Sequence, residues 1–187
     1  LNLAEKAREA GAELFVLDDG WFGRRDDDTS SLGDWYADRK KLPDGIEGLS
    51  EKIRAMGLSF GLWFEPEMVN RDSRLYEAHP DWVLGSEDRP RCVGRHQLVL
   101  DFSKDEVIDY IGGLMEDIIG RGHLSYIKWD MNRSITEAWS SGRDASFQGT
   151  VMHRQILGVY RLYERLIRKF PHVLFESCAS GGARFDP

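Results

Sequence analysis

Residues 103–130 read SKDEVIDYIGGLMEDIIGRGHLSYIKWD, and this stretch decides the fold. Val107, Ile108, Ile111, Leu114, Met115, Ile118 and Ile119 fall on one face of a helix. Ser103 and Glu106 have the Ser-x-x-Glu spacing of a capping box, which sets the expected start of that helix. Gly120 and Gly122 close it. Then comes Tyr126-Ile127-Lys128-Trp129, a short run rich in strand-forming residues that ends at Asp130. A helix running straight into a buried strand is half of a repeating α/β unit.

Outward from there the alternation continues. Toward the N-terminus, Leu3, Ala7 and Ala10 have helical spacing, and Leu14 to Leu17 read as a strand ending at Asp18-Asp19. Leu49, Ile53 and Met56 mark a second helix, and Phe60 to Phe64 a strand ending at Glu65-Pro66-Glu67. Leu98-Val99-Leu100 reads as a third strand, ending at Asp101. Beyond Asp130 a polar loop runs from about Asn132 to Gly149. Ile156, Val159, Tyr160, Tyr163, Leu166 and Ile167 mark a helix, and Val173-Leu174-Phe175 a strand ending at Glu176. Strands alternating with helices imply an α/β fold with a parallel sheet of about five βα units.

The 187 residues carry a formal charge of −7, with 25 Lys+Arg and 32 Asp+Glu. That balance argues against nucleic-acid and anionic-membrane partners, which need a basic surface. No apolar run approaches the ~18 residues of a membrane span. The two cysteines, Cys92 and Cys178, lack the spacing of a zinc ribbon, a redox pair or a disulfide framework. Such cysteine usage points to a cytoplasmic protein. The chain begins at Leu1 inside a helical pattern and stops just after a glycine pair, so both ends read as cut from a longer protein.

Every strand so read ends in a carboxylate: Asp18/Asp19, Glu65, Asp101, Asp130 and Glu176. In parallel α/β folds the C-terminal strand ends carry the active site. A ring of acids there suits a polyhydroxylated ligand, a metal or carboxylate chemistry, while some of the acids taken singly could merely cap helices or start turns. No His stands at a strand end, and Asp26-Asp27-Asp28 reads as a solvated turn, so no metal and no cofactor are expected. Trp21, Trp63 and Trp129 lie beside the acids, as sugar recognition would want: rings for C–H faces and carboxylates for hydroxyls. Lys128 and Asp130 sit two apart on a strand and share a face. A nearby ammonium favours an ionised Asp130, which suits a nucleophile, though a plain buried Lys–Asp pair has the same spacing.

Five segments then appear in order. They are Leu17-Asp18-Asp19-Gly20-Trp21, Leu62-Trp63-Phe64-Glu65-Pro66-Glu67-Met68, Gly94 to Phe102 (GRHQLVLDF), Tyr126 to Arg133 (YIKWDMNR), and Phe175 to Gly182 (FESCASGG). Together they closely resemble glycoside hydrolase family 36, the microbial α-galactosidases, over essentially the whole chain. The resemblance implies an incomplete (β/α)8 barrel occupying residues 1–187, truncated at both ends, with the first strand and the last two strands missing. A whole barrel of this kind runs to about 250 residues. It also implies a retaining glycoside hydrolase that releases terminal α-linked galactose from melibiose- and raffinose-type oligosaccharides. Carried over, Asp130 matches the nucleophile and Lys128 the lysine that contacts galactose beside it. Asp18 and Asp19 match the pair on the sugar's 4- and 6-hydroxyls. Trp63 matches an aromatic wall of the pocket, and Asn132 faces the sugar. Arg95 matches a substrate-contacting arginine, with Arg91 close by. Cys178 and Gly181 match the region near the 2-hydroxyl.

Retaining hydrolysis needs a second carboxyl group. In the family this acid/base is an aspartate in a Ser-Asp-Asp-type motif downstream of the FESCASGG segment, and no such motif lies between Gly182 and Pro187. Glu65, Glu67 and Glu176 are read as supporting acids. The alternatives are a galactosyltransferase of the raffinose-synthase type and, in another class, a fragment inert because its acid/base lies elsewhere. Members of the family often assemble as homo-oligomers through other regions.

Overall fold

The computed structural model describes residues 1–179. Four strands form one parallel sheet: β1 (Leu14–Leu17), β2 (Ser59–Phe64), β5 (Tyr126–Trp129) and β6 (Leu174–Ser177), in the order β1-β2-β5-β6. Each lies within a residue or two of its expected place, because a short run of Phe, Val, Ile and Trp has no competing local structure. The connections carry the helices α2 (Gly45–Ala55), α3 (Arg74–Ala78), α4 (Asp105–Arg121), α5 (Ala145–Gln148) and α6 (Val151–Lys169), and α1 (Asn2–Glu9) precedes β1. Helix α2 packs on β2 and on α4, and α4 packs on α6. The fold is therefore α/β with a parallel sheet, as the alternation requires.

Four expectations need correction. Leu98-Val99 is a strand, β4, but it does not join the parallel sheet. It pairs antiparallel with β3 (Met68–Val69), Met68 against Val99 and Val69 against Leu98. The two form a small separate sheet in the long connection between β2 and α4, so the parallel units among the described residues number four. The apolar run alone could not reveal the partner, because register and pairing depend on segments far apart in the chain.

The second correction is the start of α4. Ser103 makes no capping box; its backbone N–H and its hydroxyl both donate to Asp101 Oδ1, shaping a turn, and Lys104 stands at the N-cap without a side-chain cap. Third, α6 buries a face that only partly matches the expected one, with Val159 and Leu166 in common. Its buried residues are Val151, Gln155, Gly158, Val159, Leu162 and Leu166, whereas Ile156, Tyr160 and Ile167 are exposed. A buried glutamine and a glycine set that face. Gln155 accepts from Phe102 N at 2.7 Å and donates to Leu100 O at 3.0 Å, and Gly158 lets the helix backbone close on Phe102. Fourth, Leu3 of α1 points to solvent, and Ala4 is the buried residue there.

Candidate active site

The sheet register builds the site. Leu17 pairs with Leu62, which places Asp18, one residue on, level with Trp63. Trp63 pairs with Lys128, and Lys128 with Glu176. Asp18, Trp63, Lys128 and Glu176 therefore run as one row across four strands. The next row on the same face begins just past the strand ends, where Asp130 N–H donates to Phe64 O at 2.8 Å and Cys178 N–H to Trp129 O at 2.8 Å. This row holds Glu65, Asp130 and Cys178. Period-two alternation alone puts the chemistry-bearing residues of three strands on one face.

Asp130 is buried and surrounded by donors. Trp63 Nε1–H reaches its Oδ2 at 3.2 Å, Asn132 Nδ2 reaches the same oxygen at 2.7 Å, and Met131 N–H reaches Oδ1 at 2.8 Å. The Cys178 thiol also hydrogen-bonds the carboxyl. Burial pushes the Asp130 pKa up, but the bonds from Asn132, Cys178, Trp63 and Met131 together outweigh it and hold the group below the ordinary aspartate value. Lys128 plays a smaller part than its position implies, because its ammonium donates to Asp18 Oδ2 at 2.9 Å. That bond, against the opposing effect of burial, holds Lys128 above the ordinary lysine range. The expected ionised Asp130 is present, with hydrogen bonds as its main cause.

Asp19 is held by a partner that sequence reasoning missed. Arg25 is buried and donates to Asp19 through Nε at 2.9 Å and Nη2 at 2.8 Å, while its Nη1 donates to Ser30 O at 2.9 Å. One of two adjacent arginines before an acidic run gives no signal in one dimension. Trp63 is almost wholly buried in an aromatic cluster with Phe22 and Trp35, and the edge bearing its nitrogen meets Asp130. Trp21 and Trp129 are core residues rather than sugar platforms: Trp21 donates to Trp63 O, and Trp129 stacks on Tyr163 and donates to Glu67 Oε1. Asp101 leaves the expected ring of acids with its strand. Glu176 lies inside β6 and accepts from the Tyr126 hydroxyl at 2.5 Å.

Arg95 makes no bond to Asp130. It is half exposed on a tight turn from Gly94 to Gln97, where Arg95 and His96 take positive φ of 54° and 60°, and it pairs with Asp28 at 3.6 Å. Arg91 lies elsewhere, along Gly85. Gly181 lies outside the described residues. Among those described, no group of His, Cys, Asp or Glu could hold a metal ion, and no helix is long and apolar enough to cross a membrane.

A parallel α/β sheet with a buried, hydrogen-bonded aspartate of lowered pKa just past one strand end, beside a Lys–Asp pair, defines the class: a carboxylate-based site. The sequence profile of the Melibiase family matches residues 1–187, and the chain belongs to that family. It is 52% identical to α-galactosidase AgaA of Geobacillus stearothermophilus, over all of this chain and 26% of that protein. It is 47% identical to α-galactosidase Mel36A of Lactobacillus acidophilus, over 99% of this chain and 25% of that one. The crystal structure of a doubly substituted AgaA variant with raffinose, 52% identical, superposes with a TM-score of 0.97, covering 100% of this chain and 26% of that chain. The chain thus spans about a quarter of the length of the relatives it matches.

Proposed function

We propose that the full-length protein carrying this chain is a retaining α-galactosidase, acting on α-galactosides of the raffinose and stachyose type, with Asp130 as nucleophile. The observation that carries the reading is the ionised, donor-ringed Asp130 one pleat beyond the Lys128–Asp18 pair. The structures of related α-galactosidases with raffinose and stachyose support the substrate class.

In this reading Asp18 and Asp19 accept hydroxyls of the galactose, Lys128 and Asn132 donate to it, and Arg95 closes the site from the Gly94–Gln97 turn. Cys178, with Gly181, borders the 2-hydroxyl. An Asp130 oxygen attacks the anomeric carbon as the second carboxyl group gives its proton to the departing oxygen, forming a galactosyl ester and releasing the leaving group as an alcohol. Water then attacks that ester with the second carboxyl group as base, and two displacements retain the configuration. Among the described residues Glu65, Glu67 and Glu176 are each tied to other partners. The acid/base is therefore assigned outside the described residues. Asp130→Asn in the full-length protein should abolish release of an aryl α-galactoside. Wild-type-like turnover in that variant would refute the assignment.

A further inference from the structure

Glu65 is fully buried directly after β2, where it can touch neither a sugar nor solvent. Its carboxyl nevertheless joins three segments that meet at Asp130. Oε1 accepts the backbone N–H of Asn132 at 2.5 Å, and Oε2 accepts Nε2 of Gln97 at 3.0 Å. Asn132 is the residue whose side-chain amide donates to Asp130 Oδ2 at 2.7 Å. Gln97 lies at the end of the tight turn that carries Arg95, and its backbone carbonyl accepts Arg133 Nη1 at 2.6 Å. Arg133 also donates to Cys92 O at 2.8 Å and to Thr136 Oγ1 at 2.8 Å, so the loop after Asp130 is sewn to the turn from both sides. Glu65, Gln97 and Arg133 are all buried, which makes each unmade bond costly.

We propose that Glu65 is a positioning residue for the nucleophile: by clamping the Asn132 backbone and the Gln97 amide it aims the Asn132 side chain at Asp130 and fixes the Arg95 turn beside it. The proposal rests on Asp130 being the nucleophile. A further detail fits the clamp. Gln97 Oε1 is buried without a partner. With the Gln97 amide turned over, so that its oxygen faces residue 65, a neutral group there donates to that oxygen while still accepting the Asn132 N–H, so the clamp needs hydrogen bonds rather than a charge. Burial, reinforced by the Asp130 charge, favours a proton on Glu65 and supports this view.

The test uses the full-length protein and an aryl α-galactoside. Asp130→Asn is measured first; if it turns over substrate normally, the nucleophile reading fails and the clamp falls with it. Given an inactive Asp130→Asn, Glu65→Ala should lower kcat by about 100-fold, the scale of an ångström of misplacement, with KM changed less than about threefold. Glu65→Gln, which keeps the Asn132 bond through its oxygen and bonds Gln97 once that amide turns over, should stay within about fivefold of wild type. Asn132→Ala should lose about as much kcat as Glu65→Ala, and combining the two should add little, because one acts through the other. Full activity in Glu65→Ala overturns the proposal. So does a dead Glu65→Gln that folds normally, since that outcome requires the carboxyl itself. Should Glu65→Ala fail to fold, Gln97→Leu removes one arm of the clamp at nearly constant volume and should show the same kcat-selective loss; an unchanged kcat there also overturns it.

Discussion

Replacing Glu65 by glutamine should change how stability depends on pH, and the sign can be worked out. Burial pushes the Glu65 pKa from an ordinary 4.5 up to about 7. A carboxyl raised on folding binds its proton more tightly in the native state. Its stabilising effect is full below about pH 4.5, falls as pH rises toward 7, and is lost above it. Each pH unit between those two values is worth about 1.4 kcal/mol. The full swing is therefore about 3 kcal/mol, an upper figure because water entry and local relaxation lower it. Glu65→Gln cannot ionise and lacks this component. The six tryptophans give a fluorescence signal for urea unfolding of the full-length protein. Relative to wild type, Glu65→Gln should gain up to about 3 kcal/mol between about pH 5 and about pH 8. Parallel stability curves for the two proteins across that range would refute the claim that a buried, proton-holding carboxyl sits beside Asp130.

Two further predictions concern Asp130 and the helix packing. Removing either donor to Asp130 Oδ2, by Asn132→Ala or Trp63→Phe, should raise the pKa of Asp130, because hydrogen bonds to the anion hold it down. The acid limb of kcat/KM should then move to higher pH in both variants, and an unmoved limb would show that these bonds do not set the ionisation. Gly158→Ala should destabilise the protein by about 3 kcal/mol or more, the upper end for overpacking. A β-carbon there would lie 2.1 Å from the Phe102 carbonyl oxygen, so backbone must yield; thermal melting checks this, and an unchanged Tm would mean that α6 can move freely on its neighbours.

How much of this was legible in the sequence depends on the range of the interaction. Strands β1, β2, β5 and β6 were readable because apolar runs of strand-forming residues are local signals. Helix α4 was readable for the same reason: seven apolar residues at helical spacing outweigh a misread cap. The same logic failed at α6. Exposed Ile156, Tyr160 and Ile167 entered the expected stripe, and buried Gln155 and Gly158 did not. Gln155 is inside because two backbone groups of a distant turn need partners, a need no periodicity displays. Gly158 is inside because it has no side chain.

At the site, the order of residues showed the strand-end acids and the Lys128–Asp130 spacing, and the family resemblance singled out the Asp18–Asp19 pair among those acids. Residues of the right chemistry stand at strand ends, and strand periodicity puts Lys128 and Asp130 on one face. Which partner each would meet was a question of tertiary structure. Parallel pairing of β1, β2, β5 and β6 gave Lys128 to Asp18 and gave Asp130 the donors of Trp63 and Cys178, while Asn132, two residues on, is a local donor. Folding also buried Trp21 and Trp129, and antiparallel pairing with Met68-Val69 moved Leu98-Val99 with Asp101 into a separate sheet. The sequence by itself determined which side chains face one way along each strand, because that is a property of neighbouring residues. Only the tertiary structure decided which of them touch, because a hydrogen bond between residues tens of positions apart depends on the register of strands brought together by folding.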